Sequence, residues 1–415
     1  MKQSIFILLV ALIGCAAPQP CPVCPVCPGD STVVVIPVDT SSIALKQRIG
    51  TNTFPWVPLS KLSPFGTVRV YFAAHWGWRP GGLAIQPMHQ AETQETHGMD
   101  EYLERCKSAN ITPLMCIHQT PEWYSPTGRQ DGGSDIAPNK PGTIRTDPKS
   151  YSDYAAFLWQ VTARYGRKAW PESALRVDRT PRWSGDILND KKSGLGLLKY
   201  IECWNETDKW WKIGTPEYFT PPEAAALMSA CFDAIKEADP SMQVVMPGLT
   251  DFNMDYLRQM DAWFTVNRPK KDWPCDIMNF HHYSHLGNKK GQFPPYWFDS
   301  GACAPDKDQN FSTVAEVVAF ANALGKKVWI TEFGCDTRPP SWMHVQGGEQ
   351  AQGALLTATY KAYFDAGIER CYMFNSVDEN GIGLYQSSGI LSSEAAGFKP
   401  KPAWLEIDKL TKTKN

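Results

Sequence analysis

Two glutamates close apolar runs in this chain. Glu206 ends Tyr200-Ile201-Glu202-Cys203-Trp204-Asn205-Glu206, and Glu332 closes Lys327-Val328-Trp329-Ile330-Thr331-Glu332 just before Phe333-Gly334. A carboxylate in a water-poor site is costly unless it has partners or a task. Two such acids converging on one pocket can cleave a glycosidic bond, one attacking the anomeric carbon while the other protonates the leaving oxygen. Roughly 5–5.5 Å between the carboxyls gives net retention. The competing explanation for each acid is a structural ion pair. Glu202 fits that explanation better. It shares strand parity with Glu206 but lies roughly 13 Å deeper along the strand, where a lysine or arginine partner is expected.

The elements that would position such a pair recur along the chain. Short apolar, β-branched or aromatic runs fall at Arg48–Thr53, Thr67–Phe72, Pro113–Gln119, Tyr200–Glu206, Gln243–Gly248, Asp276–Ser284, Lys327–Phe333 and Cys371–Ser376. Amphipathic stretches lie between them, among them Gly98–Ala109, Tyr151–Tyr165, Pro222–Ala238, Ser312–Leu324 and Gly348–Ala366, with Ala403–Lys412 as the eighth helix. Pro221-Pro222-Glu223 starts one helix, Asp239-Pro240 stops it, and Gly325 follows the last apolar turn of another. Alternating strands and helices predict an α/β fold with a parallel sheet. Eight units without a glycine-rich phosphate loop after the first strand favour a (β/α)8 TIM barrel over an open doubly wound sheet. Residues 169–199 carry few periodic signals and are expected to form a long insertion before the fourth strand, at the site rim. In a barrel, catalytic groups sit where strands end, which is where Glu206 and Glu332 stand.

The motifs around these acids are recognisable. Cys203-Trp204-Asn205-Glu206 resembles the fourth-strand Trp-Asn-Glu motif of clan A retaining glycoside hydrolases, and Trp329-Ile330-Thr331-Glu332-Phe333-Gly334 resembles their seventh-strand nucleophile motif. Arg69 in Thr67-Val68-Arg69-Val70-Tyr71-Phe72 is similar to the second-strand arginine that supports the nucleophile. His281-His282-Tyr283 resembles the sixth-strand His-any-Tyr motif. The resemblance spans roughly residues 46–412 and is nearest to families 39 and 5. It implies that Glu206 is acid/base, Glu332 nucleophile, Asn205 a partner of the sugar 2-hydroxyl, Tyr283 a partner of the nucleophile and His281 a lining residue. One departure is visible: Tyr372-Met373-Phe374-Asn375 lacks the tryptophan that commonly floors the sugar subsite, leaving Phe374 as its substitute. Physically, an ionised Glu332 discourages a neighbouring Glu206 from losing its proton, and neutralising Glu332 in a covalent intermediate reverses that preference.

Other clusters read more blandly. Adjacent histidines on a strand point to opposite faces, so His281 and His282 cannot easily share a metal ion, and no metal site is expected. Asp306-Lys307-Asp308-Gln309-Asn310 starts like a calcium loop but lacks the glycine and distal glutamate of an EF-hand, which leaves a solvated turn. Aromatic residues crowd the strand-end loops. Trp76, Trp123, Trp210 and Trp211 follow strands two, three and four most closely and are the expected sugar-stacking residues, although half or more of such rings simply pack loops.

The first residues, 1–15, combine Lys2 with a short apolar run closed by Leu12-Ile13-Gly14-Cys15, too short to span a membrane. The tetrapeptide resembles a bacterial lipoprotein signal, which implies a lipid anchor on Cys15 at the cell envelope; an ordinary cleaved secretory signal is the alternative, and either exports the chain. Residues 16–45, with Cys21, Cys24 and Cys27 alternating with prolines, read as a tether rather than a metal site. Of the remaining cysteines, Cys303 and Cys335 are the expected disulfide, and the rest behave as small apolar residues. A net charge of −2 gives no case for nucleic acid or an anionic membrane surface and is compatible with carbohydrate. The expectation is cofactor-free hydrolysis of a β-linked oligo- or polysaccharide through a covalent glycosyl–Glu332 intermediate. A non-catalytic glycan-binding lipoprotein and a transglycosylase using the same residues are the alternatives.

Overall fold

The computed structural model describes residues 43–85, 87–89, 96–126, 133–181, 187–283, 313–339, 341, 343–345, 347–381 and 383–412. The leader with Cys15, nearly all of the tether, Cys303, and the turn at 306–310 lie outside them. Eight parallel strands close into a barrel. They are β1 (Ile49–Thr53), β2 (Thr67–Ala73), β3 (Thr112–His118), β4 (Tyr200–Glu202), β5 (Gln243–Val245), β6 (Ile277–His281), β7 (Lys327–Phe333) and β8 (Arg370–Met373). Closure comes from β1, which pairs with β8 at Ile49–Cys371 and with β2 at Gly50–Thr67.

Among the described residues, seven helices of ten residues or more pack outside: α1 (Met99–Ser108), α2 (Ser152–Tyr165), α3 (Pro221–Ala238), α4 (Met254–Asn267), α5 (Val314–Ala323), α6 (Gly348–Asp365) and α7 (Pro402–Lys412). Between β1 and β2 stands only a 3-10 turn, Leu59–Leu62. Local chemistry sets the helix starts. Glu223 accepts from the Thr220 backbone N–H at 2.7 Å, and Glu316 does the same for Thr313 at 2.8 Å, each satisfying a donor that a bare helix end would orphan. On α2, buried Tyr154, Phe157, Leu158, Val161 and Tyr165 face the barrel wall; each such side chain contributes about 1.5–3 kcal/mol of burial.

Several strands end sooner than their apolar runs. The fourth and fifth runs leave the ladder at Glu202 and Val245, and the sixth and eighth at His281 and Met373. Past those points only isolated bridges and single backbone bonds join neighbouring segments, and side chains take up some of the remaining backbone groups. The Gly248 N–H donates to Glu202 Oε1 at 3.1 Å, and the Val377 N–H to Asn375 Oδ1 at 2.9 Å. Three two-residue or three-residue hairpins, unannounced by periodicity, decorate the loops after β2 and β3. The described part of the 169–199 insertion fastens to the end of α2, where the Gly194 N–H donates to Ala163 O, and to the loop after β2 through a Leu83–Val177 bridge. Among the described residues, none of its side chains bonds the strand-end carboxylates.

Candidate active site

Alternation along the strands sorts side chains between the helical shell and the barrel interior. On β6, Ile277, Asn279 and His281 face inward, while Met278 and Phe280 join the outer core. His282, the next residue, turns outward and bonds the Tyr363 hydroxyl at 2.7 Å, so the two histidines diverge as their spacing requires. On β7 strict alternation would send Trp329 and Glu332 to opposite faces. Trp329 lies in the interior cluster, yet Glu332 also reaches inward, because the register shifts between Ile330 and Phe333 against β8 and beside Glu332 against β6.

The inward groups form one charge-balanced network. Arg69, fully buried on β2, grips Glu202 twice, from Nε to Oε2 at 2.7 Å and from Nη2 to Oε1 at 3.0 Å. Its other donors reach Glu332 Oε1 and Asn205 Oδ1, both at 2.7 Å, and Asn52 Oδ1 at 3.0 Å. Glu202 is therefore the structural partner its depth implied, further held by Asn279 Nδ2 at 3.1 Å. Arg69 meets Glu332 as the second-strand position suggested, and the Tyr283 hydroxyl donates to Glu332 Oε2 at 3.1 Å.

His281 stands between the two candidate acids. Its Nδ1 lies 2.9 Å from Glu206 Oε1 and its Nε2 3.5 Å from Glu332 Oε1. Glycine is required beside it: a Cβ on Gly248 would lie 2.3 Å from His281 Nε2. Gly248 also accepts from the Glu206 backbone N–H at 3.0 Å. Glu206 itself adopts a left-handed backbone, φ 49°, rare for a residue with a Cβ and held here by its neighbours. Oxygen atoms of Glu206 and Glu332 and a ring nitrogen of His281 all lie within 4.8 Å of one another.

Electrostatics divides the roles. Burial alone would push the Glu332 carboxyl up, but the charges of His281 and Arg69 and the bonds from Tyr71 and Arg69 outweigh it and hold it below its ordinary value. Burial opposes a charged His281, yet the negative charges of Glu332 and Glu206 win and raise it. Burial keeps Tyr71 and Tyr283 protonated, so both remain donors. The same three groups stand close enough to offer ligands to a cation. Arg69 and Tyr71 both donate to Glu332 Oε1, however, so the positive charge that site calls for is already supplied by the protein.

Glu206, Glu332, Asn205, Arg69, His281 and Tyr283 thus meet at one barrel mouth. Phe374 reaches them indirectly: it packs edge-on against Tyr385, centroids 4.9 Å apart, and Tyr385 packs on Tyr283 at 5.5 Å. The tryptophans make contacts of their own. Trp76 lies against His75, and Trp210 and Trp211 form a half-exposed edge-to-face pair. Trp123 donates to the Trp78 carbonyl at 3.1 Å. With Trp78, Tyr124 and the flank of α2 it lines a side pocket of about 260 Å³ that includes neither glutamate. Among the described residues none of these four rings bonds the carboxylate network.

Sequence reasoning missed Tyr71, which donates to Glu332 Oε1, and Asn52, which holds Arg69. Tyr71 had a signal: it is two residues beyond Arg69 and so shares its face. Asn52 had none. Cys335 is buried, and its expected partner Cys303 lies outside the described residues. Cys106, Cys116, Cys203, Cys231 and Cys275 are buried free thiols. Among the described residues no helix is long and apolar enough to cross a membrane.

No family model and no curated protein matches the chain. Solved structures do. A family 39 glycoside hydrolase from the gut symbiont Bacteroides cellulosilyticus WH2 aligns with a TM-score of 0.56 at 14% identity, covering 88% of this chain and 64% of its own. A glucosidase from Croceicoccus marinus gives 0.52 at 14% identity, covering 89% and 68%. A subfamily 18 member of glycoside hydrolase family 5 from Streptomyces cattleya, in complex with Manβ1-4GlcNAc, gives 0.52 at 15% identity, covering 89% and 82%. The chain spans about two thirds of the length of the first two. At such identities the likeness is one of architecture, and it places this chain among (β/α)8 barrels.

Proposed function

We propose that the protein is a retaining glycoside hydrolase acting on a β-linked oligo- or polysaccharide, with Glu332 as nucleophile and Glu206 as acid/base. The observation that carries this reading is the pair of carboxylates within 4.8 Å at the strand ends. That approach of their oxygens is closer than the roughly 6.5–9.5 Å between the carboxyls of an inverting enzyme, which supports direct attack by Glu332. The folds most like it among those above include a glucosidase and members of families 39 and 5, in keeping with the reading.

In the first step a Glu332 oxygen forms a bond to the anomeric carbon as the bond to the leaving oxygen breaks, and Glu206 gives that oxygen its proton. Arg69, Tyr71 and Tyr283 keep Glu332 ionised and aimed. In the second step Glu206 takes a proton from water, the water oxygen bonds the anomeric carbon, and Glu332 leaves as a carboxylate. Asn205, its Oδ1 turned to Arg69, has its amide N–H groups left for a sugar hydroxyl. Lipid anchoring through Cys15, at a cell envelope where external glycan is met, belongs to the same proposal.

A panel of 4-nitrophenyl β-glycosides and β-linked polysaccharides, with proton NMR of the first anomer released, tests it. Turnover with retention in the wild type, lost in Glu332→Ala, is expected; Glu206→Ala should spare the glycosylation step of substrates with good leaving groups. Inverted product, or equal activity in all three proteins, would remove the assignment. Added acceptor sugar separates hydrolysis from transfer, and fractionation of cells expressing Cys15→Ser tests the anchor.

A further inference from the structure

The turn that presents Glu206 is tied to the loop after β5 at successive points. Asn205 bridges Gly248, and the Glu206 N–H donates to the Gly248 carbonyl. Two residues on, the Asp208 carboxylate accepts from Thr250, from its backbone N–H at 2.8 Å and its hydroxyl at 3.2 Å. Asp208 is 4% exposed, and among the described residues no lysine, arginine or histidine pairs with it. Its neighbour Lys209 turns instead to Asp135. The titratable groups that face Asp208 are Glu206 on its own turn, Tyr218 from the segment before α3, and Tyr256 from α4. Asp251, beside Thr250, accepts from the Phe252 N–H and lies 4.0 Å from His282.

A buried carboxylate without a cation is an expensive way to cap a loop; an asparagine or serine would accept from Thr250 at lower cost. Its placement two residues from the candidate acid/base gives it a further use. We propose that Asp208 is a positioning residue for Glu206: through Thr250 it fastens the left-handed turn that aims the acid/base to the loop after β5, and the charge it carries there acts on that group. The inference rests on the reading of Glu206 given above. Burial opposes ionisation of Asp208, the Thr250 bonds favour it, and the charge of Glu206 opposes it again, so that the carboxyl is pushed up to about 7. It therefore gains and loses its charge across neutral pH.

The full chain labelled with 13Cγ-aspartate provides a readout independent of substrate. One carboxyl signal should titrate near pH 7, vanish in Asp208→Asn, and move lower by about half a pH unit or more in Glu206→Gln, which removes the like charge. In parallel, kcat/KM for the 4-nitrophenyl β-glycoside cleaved fastest should show an inflection near pH 7 in the wild type that Asp208→Asn loses. An Asp208 signal titrating in the ordinary carboxylate range, or one unmoved in Glu206→Gln, overturns the inference. So does an Asp208→Asn profile lowered by one factor at every pH, the mark of a purely structural anchor. Wild-type turnover in Glu206→Gln would instead sink the acid/base reading, while the labelled titration still reports whether the two groups are coupled.

Discussion

One rung apart inside the barrel, the same strands build two unlike layers. The lower one holds Leu114, Tyr200, Val245, Ile277, Trp329 and Tyr372; Trp329 Nε1 meets Glu369 at 2.8 Å, the Tyr372 hydroxyl meets Thr67 at 2.9 Å, and the Arg370 guanidinium lies over the Tyr200 and Trp329 rings. The upper one holds Arg69, Glu202, Glu332, His281, Asn52 and Asn279. Both are dry. Removing a side chain below forfeits area and leaves a cavity; removing one above leaves an opposite charge without its partner. Stability and chemistry are thus stacked on one scaffold and should respond separately to substitution.

The sharpest break is expected at Glu332. Glu332→Gln should lower steady-state turnover of aryl β-glycosides by roughly 10⁴-fold or more, with circular dichroism unchanged; turnover within tenfold of wild type would place the chemistry elsewhere. Next comes the lower layer, where Trp329→Ala should cost about 3–5 kcal/mol in denaturant melts yet leave kcat per folded molecule within a few-fold. A collapse of kcat there would show that the layers are not separable. Tyr71→Phe removes one bond to a charged acceptor, worth about 1.5–3 kcal/mol, so kcat should fall about 10- to 150-fold with little change in melting.

The His281 imidazole, raised by its acidic neighbours, makes a pH prediction. A histidine whose folded value exceeds its unfolded value of about 6.5 stabilises the fold fully below that pH, and the contribution fades as pH climbs through the folded value. Glu332→Gln removes the charge that contributes most to raising it, so the imidazole titration followed by NMR should move to lower pH in that variant; an unmoved titration would mean that the pair is not coupled. The smallest effect belongs to the rim. Trp210→Ala and Trp211→Ala should each change stability by less than about 0.5 kcal/mol, and should raise KM on polysaccharide without altering it on small aryl glycosides if these rings bind sugar.

The contrast between layers also explains what the chain disclosed in advance. Eight apolar runs and the helices between them follow from local periodicity, so the barrel was legible, as were Glu206 and Glu332 through their places at the ends of apolar runs and Arg69, His281 and Tyr283 through the motifs they resemble. The strand ends themselves were not, because the runs continue past the residues at which the regular ladder stops. Gly248 gave no hint of its importance, since its need for a bare Cα arises from His281 on the next strand. Asn52 likewise matters only through residues distant in the chain, accepting from Arg69 on the neighbouring strand and donating to the Thr331 carbonyl at 2.7 Å. Residues whose role is to face one another across a closed sheet leave no mark on the local sequence.

The slip in β7 has a bearing on how such a molecule can change. Because one strand shows the interior a tryptophan and an acid at an odd spacing, the proposed nucleophile is addressed by a kink as much as by a codon. On a strictly alternating strand a glutamate at this position would aim at the helices, and an engineer who wished to relocate it would have to relocate the irregularity as well.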